Sequence, residues 1–344
     1  MRSIGLDVDR WDAAPGRPNV VGRLLGTGTG RTLLFNAHMD TVDVAGMNAP
    51  FEPTTRDGRM VGRGTQDMKA SLAAQLEAAR VLAAADAPLA GDVLVAAVSD
   101  EEHKSVGTEA LVERYAADGA VVTEPTDMEL AIAHKGFVWI DVESRGRAAH
   151  GSRPDEGIDA NLHMGRVLTA LDALDQSWTT EAPHPLLGRR SLHAGRLHGG
   201  REPSVYTAQC HLRLERRTLP GETPEDVLAE VNALLDPLHA ADDAFDAHAE
   251  IAFARHPLET PPDAPIANAV RESTAHVLGT PPPTVGASFW TDAALHAAAG
   301  TETVVIGPVG AGLHTTEEWV DLNSVTDLTH VLIETARRYC GPIG

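Results

Sequence analysis

The run Leu33-Leu34-Phe35-Asn36-Ala37-His38-Met39-Asp40 constrains this chain more than any other stretch. An apolar, strand-forming segment of this kind belongs in a core, yet it ends in an imidazole and a carboxylate that cannot be buried without partners. Residues two apart on an extended backbone face the same side, so Asp40 can sit beside His38 and accept one ring N–H. The other ring nitrogen is then left for a metal, in the carboxylate–histidine–metal arrangement. Taken alone, a His-x-Asp more often marks a satisfied structural histidine. What shifts the reading is recurrence, because further carboxylate and histidine positions stand at the ends of comparable apolar runs.

Taken in order, segments 19–25 and 31–37 read as a β-pair around the Gly-rich turn 26–30. No Gly-Lys-Ser/Thr follows this turn, so it is not a phosphate loop. After Gly62-Arg63-Gly64-Thr65-Gln66-Asp67-Met68-Lys69, the residues Met68, Leu72, Leu76 and Ala79 recur at helical spacing, which places Asp67 near a helix N-terminus. Segment 92–98 is almost wholly apolar, as in a strand covered on both faces, and runs into Ser99-Asp100-Glu101-Glu102. A helix over 107–117 and a short strand over 120–123 ending in Glu124-Pro125 complete an alternation that predicts an α/β domain with a mostly parallel sheet.

The pattern then changes. Strand 137–144, helix 158–174, strands 191–199 and 207–213, helix 224–235 and strand 250–254 follow the order βαββαβ of a ferredoxin-like unit. The chain therefore reads as a split domain, 1–134 with 256–344, carrying an insert at 135–255. Helices at 264–278 and 292–299, a strand at 303–306, a Gly-rich loop bearing His314 and a last helix to Tyr339 return to the first domain.

Length and composition narrow the partners. At 344 residues the chain can hold two cores, and its formal net charge of -21 would repel nucleic acid and anionic membrane. Its two cysteines, Cys210 and Cys340, have no paired spacing, so neither a disulfide framework nor a thiolate zinc site is implied. No stretch has the length and apolarity of a signal peptide or a membrane span, and a cytoplasmic location is expected.

His38, Asp67, Glu102, Glu124 and His314 all fall just after strands or in the loops beyond them. In open α/β sheets the ligand crevice lies at the carboxyl ends of the strands, so the five could converge there. Two imidazoles and three carboxylates suit two divalent ions sharing one bridging carboxylate, with zinc the first guess and cobalt or manganese as further options. Read alone, the five could equally be separate capping or surface groups.

The segments His38-Met39-Asp40-Thr41-Val42, 62–69, Asp100-Glu101-Glu102, Thr123-Glu124-Pro125-Thr126 and Gly312-Leu313-His314 together resemble the ordered motifs of one dizinc family. It is the family of acetylornithine deacetylase, succinyl-diaminopimelate desuccinylase, aminoacylase and the glutamate carboxypeptidases. The resemblance implies a dizinc catalytic domain with an inserted lid and dimerisation domain. It implies that Asp67 bridges two metals, that His38 and Glu124 complete one and Glu102 and His314 the other, and that Glu101 is the general base. It implies a cis Asp67–Met68 peptide. Gly146-Arg147-Ala148-Ala149-His150-Gly151 matches the family's lid histidine motif and Glu215-Arg216-Arg217-Thr218-Leu219-Pro220-Gly221 its arginine motif. His150 would then stabilise the oxyanion, and Arg217, Ser204 and Gly312 would contact substrate.

Three departures stand out. Glu215 replaces the usual Asp before the lid arginine, Ser204 stands where an Asn is common, and little precedes the first β-pair, where the family usually has a helix, so a truncated start or an exposed apolar patch is expected. The activity expected is cleavage of a small N-acyl amino acid by a homodimer, with short-peptide cleavage as the alternative. A metal-binding protein without turnover is the reading from a different class. An intact Glu101 argues against it, since a non-catalytic site has no use for an unliganded carboxylate there.

Overall fold

A computed structural model of the chain describes residues 1–44 and 46–341. The chain divides into two compact units, Met1–Ala133 with Leu258–Ala287 and Thr291 onward, and His134–Pro257 with Ser288–Trp290. Among the described residues, no helix is long and apolar enough to cross a membrane.

The first unit opens with β1 (Asp7–Ala14), β2 (Arg17–Leu24) and β3 (Leu33–His38), followed by the short β4 (Thr54–Arg56) and β5 (Arg59–Val61). Next come α1 (Ala70–Ala83), β6 (Val93–Val98), α2 (Val106–Arg114), β7 (Gly119–Val122) and β8 (Leu130–His134). The second unit holds β9 (Gly136–Arg145), α3 (Ala160–Ser177), β10 (Ser191–Gly199), β11 (Gln209–Thr218), α4 (Pro224–Ala241) and β12 (Asp246–Arg255). The chain then returns to the first unit through β13 (Leu258–Glu259), α5 (Pro265–Leu278), β14 (Thr284–Ala287), α6 (Ala293–Ala298), β15 (Glu302–Val305), β16 (Gly310–Ala311), β17 (Trp319–Asp321) and α7 (Leu322–Tyr339).

The main sheet of the first unit runs β1-β2-β6-β3-β7-β15-β8-β13, with β14 beside β8. Its centre is parallel: β3 pairs in parallel with β6 and β7, and β15 with β7. These strands read as unbroken apolar runs because both faces are covered. Every residue of β3, β6 and β7 is buried.

One expectation fails here. Segments 19–25 and 31–37 do not pair with each other, because β6 lies between them, antiparallel to β2 and parallel to β3. The Gly-rich segment 26–30 is not a hairpin turn but a crossing over the start of β6. Thr27 N–H donates to Leu89 O (2.9 Å) and Gly30 N–H to Ala90 O (3.0 Å). The crossing is so close that a Cβ on Gly91 would lie 1.9 Å from Arg31 O, which is why glycine stands there. The partner of β2 on its other side is β1, a polar edge strand whose tell was the Pro15-Gly16 turn.

The second unit has sheet order β10-β11-β9-β12, antiparallel throughout, with α3 and α4 against one face. This is the ferredoxin-like arrangement. Strand alternation sorts its residues: Val138, Ile140 and Val142 of β9 and Cys210, Leu212 and Leu214 of β11 enter the core, while their neighbours face away. Arg216 also points inward, fully buried, and is met by Glu222 (2.6 Å) and Glu230 (3.3 Å) with Trp178 beneath its guanidinium.

Candidate metal centre

The parallel strands deliver four acidic or imidazole groups to one edge. β3 ends in His38, which lies in register with Val98 at the end of β6, and beyond β6 stand Glu101 and Glu102. β7 leads to Glu124, with Thr123 N–H donating to Asn36 O of β3 (3.2 Å). Asp67 enters from the turn before α1, across a cis Asp67–Met68 peptide, and His314 from the loop between β16 and β17.

His38 Nε2 lies 2.9 Å from Asp67 Oδ1, 3.6 Å from Glu124 and 4.0 Å from Glu101, while His314 Nε2 lies 3.2 Å from both Asp67 Oδ2 and Glu102 Oε2. Asp67 thus stands between the two histidines, one oxygen toward each. Ligand atoms of His38, Glu101 and Glu124 fall within 4.8 Å of one another, as do those of His38, Asp67 and Glu102. His38 is buried at the floor, whereas the His314 side chain is 55% exposed at the rim.

Asp40 does something other than the sequence suggested. His38 Nδ1 lies 3.0 Å from the backbone carbonyl of Asp40 but 3.7 Å from its carboxylate. A carbonyl can only accept, so Nδ1 carries the proton and Nε2 is turned to the cluster. The Asp40 carboxylate instead accepts the backbone N–H groups of Glu101 (3.3 Å) and Glu102 (3.2 Å). The cause lies in the backbone after β6, where Asp100 at φ 74° turns the chain and presents these donors.

Burial pushes the Glu101 carboxyl well up from its ordinary value, and neighbouring Glu124 adds to it; Glu124 is raised likewise by burial and by Asp67. Burial alone would lower His38, but Glu124, Asp67 and Glu101 carry it well above the imidazole range. Hydrogen bonds to Asp67 and Glu102 raise His314 to about 10. Asp67 itself is held low by His314 and His38 despite burial. Carboxylates accumulate here faster than cations, and Glu102 Oε1 is buried without a hydrogen-bond partner among the described residues. An orphaned oxygen, two imidazoles and crowded carboxylates are the donor set that divalent cations require, so the residues fit such ions.

Two contributors had no sequence signal strong enough to single them out. Glu318, fully buried, accepts from the backbone N–H groups of Gly64 (2.9 Å), Gln66 (2.8 Å) and Asp67 (3.1 Å) and from Arg63 Nη1 (2.7 Å). Arg63 also donates to Thr315 O, so one buried ion pair ties the Asp67 turn to the His314 loop. Pairing of β17 with β5 brings the two together, Trp319 opposite Val61. Asp292, wholly buried, accepts from Thr108 Oγ1 (2.5 Å), and burial raises its carboxyl to about 6. Gly312 sits in the His314 loop at φ 88°, where a Cβ would lie 2.0 Å from Glu317 O, a backbone need that accounts for it without a ligand.

His150, Ser204 and Arg217 belong to the second unit. His150 Nδ1 accepts from Ser152 N–H (3.2 Å), which leaves the proton on Nε2, and the side chain is exposed. Gly151 N–H donates to Ser204 O (2.7 Å), so Ser204 meets the histidine loop through its backbone. Arg217 Nε donates to Glu215 (2.7 Å), which also accepts from Trp139 Nε1 (2.9 Å), and its guanidinium lies 5.4 Å from the Phe137 ring centre. The longer acid at position 215 thus orients the arginine.

The sequence pattern of peptidase family M20/M25/M40 matches residues 34–338. The chain belongs to this family. It is 29% identical over 261 residues to an N-formyl-4-amino-5-aminomethyl-2-methylpyrimidine deformylase of Bacillus subtilis, covering 70% of this chain and 61% of that protein. It is 31% identical over 341 residues to an acetylornithine deacetylase of Myxococcus xanthus, covering 96% of this chain and 86% of that one. The fold resembles that of aminopeptidase PepT from Bacillus cereus, with a TM-score of 0.81 at 22% identity over 98% of this chain and 90% of that one. The chain spans about three fifths of the length of the first curated relatives it matches.

Two outcomes are expected. Glu318→Gln keeps the shape but loses the charge that gathers three backbone donors, and should weaken metal affinity about 10- to 100-fold, the usual effect of removing a group that orients ligands. Competition with a chromophoric chelator measures this, and wild-type affinity would exclude the role. With metal stripped, the folded chain must hold protons instead: His314 is raised from 6.5 to about 10, and Glu101, Glu124 and His38 are raised too. The folded state then binds more protons than the unfolded state, so stability should fall as pH rises from about 6.5 toward 10. The melting temperature of chelated protein should decline across that window, and a flat profile would contradict it.

Proposed function

We propose that the chain is a metal-dependent hydrolase that cleaves the amide bond of a small N-acyl amino acid. The observation that carries this reading is Glu101, a carboxyl group beside the candidate ligands whose proton affinity burial has raised toward that of a working base. His38, Glu124, Glu102 and His314 would hold two divalent ions, zinc first, with Asp67 shared between them. Bound there, the ions would polarise the scissile carbonyl and lower the pKa of the attacking water. Glu101 would accept that water's proton as the new C–O bond forms and the carbonyl π pair moves onto oxygen, then pass it to the nitrogen as the oxyanion collapses and the C–N bond breaks, so the proton ends on the amine. His150, protonated on Nε2, is suited to donate to the carbonyl oxygen as negative charge develops. Arg217, oriented by Glu215, is suited to a substrate carboxylate.

The choice of a short acyl group rests on relatives named as a deformylase and an acetylornithine deacetylase, the latter matched over 96% of this chain. Peptide cleavage is the second reading, supported by membership of a peptidase family and by the fold's likeness to an aminopeptidase. A panel of N-formyl and N-acetyl amino acids and dipeptides, run on zinc-loaded protein, decides between them. Glu101→Gln should lower the rate on the best substrate about 10²- to 10⁴-fold with metal content unchanged. More than a tenth of the activity remaining would remove Glu101 from the role of base.

The second unit would serve as a lid and as the contact between two chains, whose exposed edge strand offers unpaired backbone groups to a second copy. His150 of one protomer would then complete the centre of the other. A mixed dimer of His150→Ala and Glu101→Gln subunits should regain activity that neither parent has, since one centre receives both intact groups. No recovery, or a monomer in light scattering, would refute the arrangement.

A further inference from the structure

The face of the second unit's sheet that points away from α3 and α4 carries a row of histidines. In register across its four strands stand His198 of β10, His211 of β11, Glu143 of β9 and His248 of β12. All four fall on one face, since their neighbours Leu212, Val142 and Ala247 are the ones that enter the core. An open groove of about 460 Å³ lies over the row. His198, His211 and His248 are exposed, and His248 Nε2 lies 3.4 Å from Glu143 Oε2.

We propose that His211, Glu143 and His248 form a site for one borderline divalent cation, of the zinc, nickel or copper class, separate from the centre in the first unit. Adjacent strands lie about 4.8 Å apart, so the two histidines flank Glu143 at roughly 10 Å between their backbones. His248 already lies 3.4 Å from Glu143, and the His211 imidazole would have to lean inward over that carboxylate for the three to meet one ion at bonds of about 2.0–2.2 Å. His198 is one strand farther out, about 14 Å from His248 by the same spacing, too far to join it on a single ion. Nitrogen donors with one oxygen favour transition metals over calcium or magnesium.

The groups around the site leave room for such an ion. In the next row Arg213 is held by both oxygens of Asp141 (2.7 and 2.6 Å), so its charge is already answered. Glu143 accepts from Arg145 on both oxygens (2.9 and 3.3 Å) and from Gln209 (3.4 Å), so an ion must displace these contacts; the Arg145 side chain is half exposed, and solvated ion pairs of this kind are weak competitors. Occupancy would tie β11, β9 and β12 together on the face that has no helix to brace it.

Zinc uptake of the full chain by equilibrium dialysis tests the site. The wild type should take up one ion per chain more than His211→Ala or His248→Ala, while His198→Ala matches the wild type. Turnover by the first unit's centre should be the same in all four. The three histidines are exposed, so the variants should fold. Should either His211→Ala or His248→Ala fail to, Glu143→Gln replaces it and should lose the same ion. Equal uptake by wild type and the His211 and His248 variants would overturn the proposal, as would loss in His198→Ala with retention in His248→Ala.

Discussion

Like charge crowded into a buried corner is the constraint on which the rest of this structure depends. Asp67, Glu101, Glu102 and Glu124 converge, and among the described residues His38, His314 and the exposed Lys69 stand against them. Bringing carboxylates together out of water is unfavourable unless protons or cations accompany them. The raised proton affinities of Glu101, Glu124 and His38 are that cost expressed chemically. Divalent cations are the counter-charge that such a donor set fits, because coordination replaces the repulsion between carboxylates.

The fold bears this cost through its most rigid parts. Three parallel strands, each buried along its whole length, end within two residues of one level, so the sheet fixes His38 and sets where the Glu101–Glu102 turn and Glu124 begin. The two remaining candidate ligands, Asp67 and His314, come from loops, and loops need their own restraint. Glu318 and Arg63 supply it: one fully buried carboxylate gathers backbone N–H groups around Asp67, and its guanidinium partner reaches the backbone beside His314. A buried ion pair is weak evidence for stability but good evidence for a required geometry, because removing either partner leaves the other uncompensated.

Much of this was legible in the sequence, and the exceptions share a cause. Parallel strands announce themselves as apolar runs, so β3, β6 and β7 and the polar groups that follow them could be read directly. The alternation of the second unit's strands was equally plain. What could not be read was pairing: β2 and β3 looked like neighbours because only a Gly-rich turn separates them, and the insertion of β6 between them depends on backbone approach at Gly91 that no periodicity reports. Short strands such as β5 and β17 carry too few residues for a pattern, and Glu318 acquires its meaning only from their pairing. Asp40 was read as the histidine's partner because sequence gives side-chain proximity but not the competing claim of a backbone carbonyl.

The corrected role of Asp40 explains how two adjacent glutamates can do different work. On a strand, Glu101 and Glu102 would point to opposite faces, and only one could reach the cluster. They sit instead on a turn set by the left-handed Asp100, and the Asp40 carboxylate fixes that turn by binding both of their N–H groups at once. Glu102 is thereby aimed at His314, 3.2 Å away, and Glu101 toward His38, 4.0 Å away. The separation matters chemically. A carboxylate fully committed to a cation has little basicity left for proton transfer, so two carboxylates that point to different partners at one centre can divide ligation and proton transfer between them. Asp40 holds the two glutamates in these different directions through their backbone N–H groups, so substitutions at positions 101 and 102 themselves would leave its two hydrogen bonds intact.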